Sequence, residues 1–422
     1  MRTGRFCVAF VVACAGFANG DAGTLHVPDA NLGITTLQQA LDAATAGDTI
    51  LIAAGVHFGN AQVSGKPGLR IRGVAASKTI LDASPSAPTA TGPALIVDQC
   101  DGLRLERVTV RHARAATGSG AGIVVTNSDQ VQLDRVVVVD CEEAGVQITG
   151  NFAALSQCEV FACEGGIDVT GDFTSVTKST VRNDRLRGIG ILGSDVSVTK
   201  CTVRSIRVGG GISIVGERPT VTKCIVEAIL ADDSSAISTT GSDPDIAGNK
   251  IAGAFNGLFV VYGANGLVRD NVVEDCAGSG IRFGAVAHDL DVRDNVVRRC
   301  GTNGAAAVWI DGDAERLTGN VVQDCAASGF VVYSPNCVLR KNRAERCGKD
   351  GFNVELAIAG TTLESNVAIG NHGEGIENSG DATVLLKNTS KKNRADFAND
   401  GTLGTVAGNS FTTDGAPAPV LD

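Results

Sequence analysis

Large side chains are scarce in this chain. One Trp, two Tyr and 14 Phe make aromatics 4% of the 422 residues, and Met occurs once, against 53 Gly. Val, Ile, Asp, Asn and Thr recur throughout, a composition that suits many short strands joined by tight turns and is poor material for helices. Positive charge is also in short supply: 36 Lys and Arg face 46 Asp and Glu, giving a formal charge of −10 and a pI near 5.1. That balance argues against nucleic acid as a general partner, because phosphate binding needs a concentration of Lys and Arg.

Metal-ligand patterns are missing too. The five His (His26, His57, His112, His288, His372) are scattered and never fall in a ligand-like pair, and no C-x-x-C supports a zinc site. No metal site and no cofactor is expected, beyond a Ca²⁺ ion that Asp232 and Asp233 could hold weakly in a long turn. The glycine-rich run Gly118-Ser119-Gly120-Ala121-Gly122 lacks the following helix that a phosphate loop requires, since Ile123-Val124-Val125 reads as a strand. Past the N-terminus there is no run of the roughly 20 apolar residues that would span a membrane.

The first 20 residues do carry an apolar run. Arg2 and Arg5 precede Phe6 to Phe17, and Ala18-Asn19-Gly20 offers small residues for cleavage, so residues 1–20 read as a secretory signal. Val11-Val12-Ala13-Cys14 allows a second reading, a lipobox in which Cys14 is lipidated and anchors the mature chain. Either way the protein is expected to be exported: secreted, periplasmic or at the cell surface.

What the chain has in abundance is a repeat. Cys158, Ser179, Cys201, Cys224, Asn249, Asn271, Asn295, Asn320, Asn342, Asn366, Asn388 and Asn409 each follow an apolar stretch, 21 to 25 residues apart. Each unit has an alternating strand ending at the Asn (LVRDN, LDVRDN, VLRKN), a short valine strand (VVEDC, VVRRC, VVQDC), and a Gly-Ile-x-Val strand such as Gly166-Ile167-Asp168-Val169. Period-two alternation puts one face inward. Three strands per unit, closed by turns, predict one coil of a parallel β-helix.

Stacked coils explain the two recurrent columns. An inward Asn repeated about every 4.8 Å can bond its neighbours' amides and backbone. Cys141, Cys163, Cys276, Cys300, Cys325 and Cys347, continued by Asn371 and Asn393, form a second inward column in which a small thiol packs. These thiols could be free, could bridge adjacent coils as disulfides, or, with least support, could bind metal. At the start, Thr36-Leu37-Gln38-Gln39 fits a capping box and Leu37, Ala40, Leu41 and Ala44 share one helical face, predicting an amphipathic cap over the stack, with the first strand following at Asp48 to Gly55.

The order TLQQALDAATAGDTILIAAGVHFG, LRIRGVAASKTILDA and then Asn-ladder coils resembles the right-handed parallel β-helix proteins of the pectin-lyase-like superfamily. The resemblance implies an all-β solenoid of roughly 14 or 15 coils over residues 24–412, a capping helix, and a loose tail at 413–422. It implies no single activity, because lyases, hydrolases, epimerases, tailspikes and adhesins share the fold. The paired Asp and Gly-His-Gly with Arg-x-Lys of polygalacturonase-like hydrolases are missing, and Asn371-His372-Gly373-Glu374-Gly375 matches only the His part. The DPHD segment of alginate epimerases is missing as well.

Such proteins usually work on the outer face of the Gly-Ile-x-Val strand. The register puts Phe259, Arg282, Val331, Asn353 and Glu377 in one outward column and Val261, Tyr333 and Glu355 in the next, with Trp309 joining the second and Asp311 following it. Sugar faces stack on aromatics, and carboxylates with Asn bind hydroxyls or do acid/base work. Glu355, Glu377 and Arg282 are therefore the candidates for catalysis, and Phe259, Arg282, Trp309, Asp311, Tyr333 and Asn353 for binding. A basic alternative lies in turns carrying Arg182, Arg185, Arg187, Arg204 and Arg207, where an acidic polysaccharide could be held.

Two functions of different class fit these features. One is an exported β-helix that binds or modifies a polysaccharide as a lyase, hydrolase or epimerase. The other is a non-catalytic surface β-helix used in adhesion or as a spacer.

Overall fold

A computed structural model describes residues 22–84, 91–115 and 119–411. The signal and lipobox readings, Gly118 and the 413–422 tail lie outside those residues. Within them the chain winds into a right-handed all-β solenoid whose three parallel sheets hold 17, 15 and 16 strands. That is about 16 coils, more than the repeat suggests. The uncounted coils carry Val108 and Val136 where later ones have Cys or Asn, so they hide from any search for the polar marker while burying an equivalent side chain.

One unit shows how the sequence makes a coil. Leu267–Arg269 forms a strand of the first sheet, Asp270 takes φ +56°, Asn271 turns inward, and Val272–Glu274 forms the next sheet. Asp275 at φ +57° makes a second corner before Cys276, and Ile281–His288 completes the coil on the third, or front, sheet. A left-handed residue swings the chain round each corner, and Asp tolerates that conformation better than most. Stacking in register then places like on like: Ile167, Ile189, Ile212, Ile237, Leu258, Ile281, Val308, Phe330, Phe352 and Ile376 form one buried column. Phe330 and Phe352 stack inside it with ring centroids 4.9 Å apart.

The Asn column is a continuous hydrogen-bond ladder. Asn271 Oδ1 accepts from both the backbone N–H (3.0 Å) and Nδ2 (2.9 Å) of Asn249, while Asn271 Nδ2 donates to Ile246 O and to Asn295 Oδ1. The pattern continues through Asn320, Asn342, Asn366 and Asn388 to Asn409. Every amide atom of a ladder Asn is used, which is what makes a buried primary amide tolerable. Asn371 and Asn393 extend a second ladder above Cys347.

All eleven described cysteines are buried free thiols. Direct thiol contacts join Cys141 to Cys163, Cys201 to Cys224 and Cys276 to Cys300, one coil apart. Burial pushes Cys158, Cys325 and Cys337 up to about 12, so these groups pack as small apolar side chains.

The predicted cap is Leu37–Ala43, with the Thr36 capping box formed and Leu37, Ala40 and Leu41 buried on the core. It is not the first element. A strand at Thr24–Val27 precedes it and pairs with Thr49–Ile52, so the helix is inserted between the first two rungs. Among the described residues no helix is long and apolar enough to cross a membrane.

Candidate functional site

The front sheet contains every Gly-Ile-x-Val strand, and its outward residues are the ones free to meet a ligand. Backbone register aligns Phe259, Arg282, Trp309, Val331, Asn353 and Glu377 on six successive coils. Trp309 thus stands in the first column, beside Arg282, and not in the second. The extra residue in Gly301–Ala307 is absorbed by the loop, so that Val308 enters the core at 1% exposure and Trp309 turns outward. A bulge likewise displaces Val261, and Tyr262 aligns with Thr240 in the second column.

Around Trp309 the aromatic and cationic groups meet. Trp309 and Tyr333 stack with centroids 4.6 Å apart and planes 24° from parallel. The Arg282 guanidinium lies 5.2 Å from the Phe259 ring centroid and 5.4 Å from that of Trp309, within cation–π range of both. Its Nη2 is 3.7 Å from Asp311 Oδ2. Arg282 Nε and Trp309 Nε1 are buried donors with no protein acceptor.

Below this pair the face turns acidic. Asn353 Nδ2 donates to Glu355 Oε1 at 3.2 Å, and burial together with the Glu355 and Asp311 charges raises the Tyr333 phenol. One coil on, Glu377 meets two carboxylates that the alternation of the strands did not reveal, Asp350 and Glu374, with one oxygen of each of the three within 4.8 Å of the others. Asp350 is buried, accepting from the Glu374 backbone N–H at 2.9 Å and from Ser328 Oγ at 3.1 Å. Glu374 is neutralised by Arg394. Burial, reinforced by the Asp350 and Glu374 charges, lifts Glu377 to about 7. Asp350 and Glu374 occupy the corner leading into the strand, where period-two reading gives no phase. The Lys349-Asp350-Gly351 turn was the available signal.

The arginine turns form a separate region. Arg182 pairs with Glu159 at 2.8 Å and lies over Phe161; Arg185 pairs with Glu164 at 2.7 Å, Arg187 with Asp168 at 3.3 Å and Arg204 with Glu227 at 3.0 Å. Arg207 lies on the same edge, its backbone N–H bonded to Asp184 O. Asp232 and Asp233 are exposed in their turn.

Comparison with known proteins agrees with this architecture. Residues 187–314 match the family model described as right handed beta helix region, and residues 303–421 match that of the periplasmic copper-binding protein NosD. No curated protein matches the chain. Among solved structures, the chain is similar to the catalytic unit of a GH87 alpha-1,3-glucanase from Streptomyces thermodiastaticus (13% identity, 94% of this chain and 71% of that one, TM-score 0.46). It is also similar to an alginate lyase from Paenibacillus (16% identity, 68% and 97%, TM-score 0.38) and to PfbA, a surface adhesin of Streptococcus pneumoniae (11% identity, 92% and 93%, TM-score 0.39). The chain is a right-handed parallel β-helix, of which residues 187–314 match the right handed beta helix family model.

The NosD description raises copper, and the residues in its matched segment do not suit that metal. Cys325, Cys337 and Cys347 are buried in the core, His372 stands exposed on its own, and the one group of three candidate ligands among the described residues is Asp350, Glu374 and Glu377. Three carboxylates are hard oxygen donors, whereas copper sites favour imidazole and sulfur.

Proposed function

We propose that the protein is an exported β-helix that binds or modifies a polysaccharide on the front-sheet face between Phe259 and Glu377. The observation that carries the reading is the Trp309–Tyr333 stack standing one coil from Glu355 and two from Glu377. A stacked aromatic pair receives the apolar face of a sugar ring, with the Arg282 guanidinium beside it. Glu377, raised to about 7 by burial and its acidic neighbours, is the candidate proton donor, and Glu355 on the preceding coil is the second carboxyl that glycosidic chemistry needs.

The charge distribution favours a neutral or amino sugar over a uronate polymer. Asp311 and Glu355 would repel uronates, and four of the five arginines in the alternative patch already face a carboxylate. Neutral glucans, chitosan, alginate, pectate and hyaluronan, assayed for binding, reducing ends and the ultraviolet absorbance of unsaturated products, provide the test. Binding that is lost in Trp309→Ala supports the site. Silence on all substrates favours the adhesin or spacer reading.

A further inference from the structure

We infer that the front sheet carries a second glycan-binding subsite, a trench over Gly190, Ser213 and Ser238, in line with the Trp309 site and reached by a chain lying along the solenoid axis. The inference rests on the polysaccharide reading above.

The trench exists because three successive outward positions are small. Asp168, Gly190, Ser213, Ser238 and Phe259 follow one another in register on the same column that continues to Arg282 and Trp309. Between the bulk of Asp168 and that of Phe259, a glycine and two serines leave the sheet surface low. The depression over Asp168, Gly190 and Ser213 has a volume of about 310 Å³. A Cβ at Gly190 would come within 2.8 Å of Asp168 Oδ1 and 3.1 Å of Arg187 Cδ, so a larger residue there would push those side chains into the end of the trench.

Its walls have the amphipathic character of a sugar site. The adjoining column presents Leu192 and Val215, 54% and 40% exposed, along the side of the trench. The floor is polar: Ser238 Oγ donates to Ser213 Oγ at 3.2 Å, and each hydroxyl keeps further capacity to donate or accept. At the closed end, Arg187 Nη1 lies 3.3 Å from Asp168 Oδ1, an oxygen that is buried yet receives no hydrogen bond from the protein. An apolar side wall, a hydroxyl floor and the Arg187–Asp168 ion pair complement the face, rim and hydroxyls of a pyranose.

Spacing ties the two sites together. Ser213 is four coils from Trp309, roughly 19 Å at the strand separation of a parallel sheet. A hexose is about as long as one coil step, so a trisaccharide on Trp309 ends near Phe259, whereas a hexasaccharide reaches the trench.

The test uses the full chain and calorimetric titration with trimers and hexamers of cellulose, laminarin and chitosan. At least one hexamer is expected to bind ten-fold or more tightly than its trimer. Ser213→Ile, which fills the trench from an outward position without adding an aromatic face, should reduce the hexamer to the trimer's affinity and leave the trimer unchanged; Ser238→Ile, one coil away, should do the same if either protein alone proves unstable. Trp309→Ala should weaken both lengths. Equal affinities for trimer and hexamer, or a hexamer advantage that survives both trench variants, overturns the subsite while the Trp309 reading stands. Absence of binding by every oligosaccharide overturns both.

Discussion

Asp350 lies buried beside Glu377, with carboxylate oxygens of the two within 4.8 Å, and its charge adds to the burial that raises Glu377 to about 7. Like charges at that distance cannot both ionise cheaply. Removing one of them should release the other. Asp350→Asn is expected to return Glu377 towards the ordinary glutamate range, read directly by ¹³C NMR of labelled glutamate carboxyls. If activity is found, the alkaline limb of its pH profile should move to lower pH in the same variant. An unchanged Glu377 titration would dissociate the pair.

Glu315 makes a prediction about stability. It is fully buried, its Oε2 accepts from the Leu290 N–H at 2.7 Å, and its Oε1 has no partner. Burial raises it to about 8, with Asp289 and Asp313 adding to the rise and Arg316 opposing it. The folded state thus holds a proton that the unfolded chain releases above about 4.5. Stability should therefore fall as pH rises from about 4.5 to 8 and stay low beyond. Glu315→Gln keeps the acceptor and removes the charge. Its melting temperature should match the parent at pH 4 and exceed it at pH 9, by the equivalent of a few kcal/mol.

Asn320 sits mid-ladder, accepting from the Asn295 N–H and Nδ2 at 3.0 and 2.9 Å. Asn320→Ala strands both donors in the core, at roughly 1–3 kcal/mol each. Denaturant unfolding should register a loss of about 2–5 kcal/mol, whereas Arg293→Ala, on an exposed rung edge one coil earlier, should change little.

The thiols predict silence. Because the eleven described cysteines are buried and free, Ellman's reagent should find none of them in the native protein and each of them after denaturation. Fewer after denaturation under non-reducing conditions would show that adjacent coils had been bridged.

The solenoid was legible because its coils repeat: inward side chains recur at fixed intervals, and register turns one correct rung into a column. Legibility failed where the interval breaks. Val108 and Val136 bury the same corner without a polar marker, so early coils went uncounted. The loop before Trp309 absorbs an extra residue, which reversed its column, and the corner carrying Asp350 and Glu374 has no alternation to read. The trench escaped for another reason, since Gly190, Ser213 and Ser238 matter through the space they leave, and a search for reactive side chains passes over small ones.

The Asn ladder has a polarity that bears on how the chain is built. Every Asn oxygen points back to the donors of the coil before it, as Asn271 does to Asn249. A solenoid halted at any coil therefore ends in an unanswered pair of N–H donors facing its C-terminal side, and the next coil to arrive is the one that brings the acceptor. Within the ladder, each coil added on the C-terminal side would answer the donors left by the one before it, in the direction in which a ribosome delivers the chain.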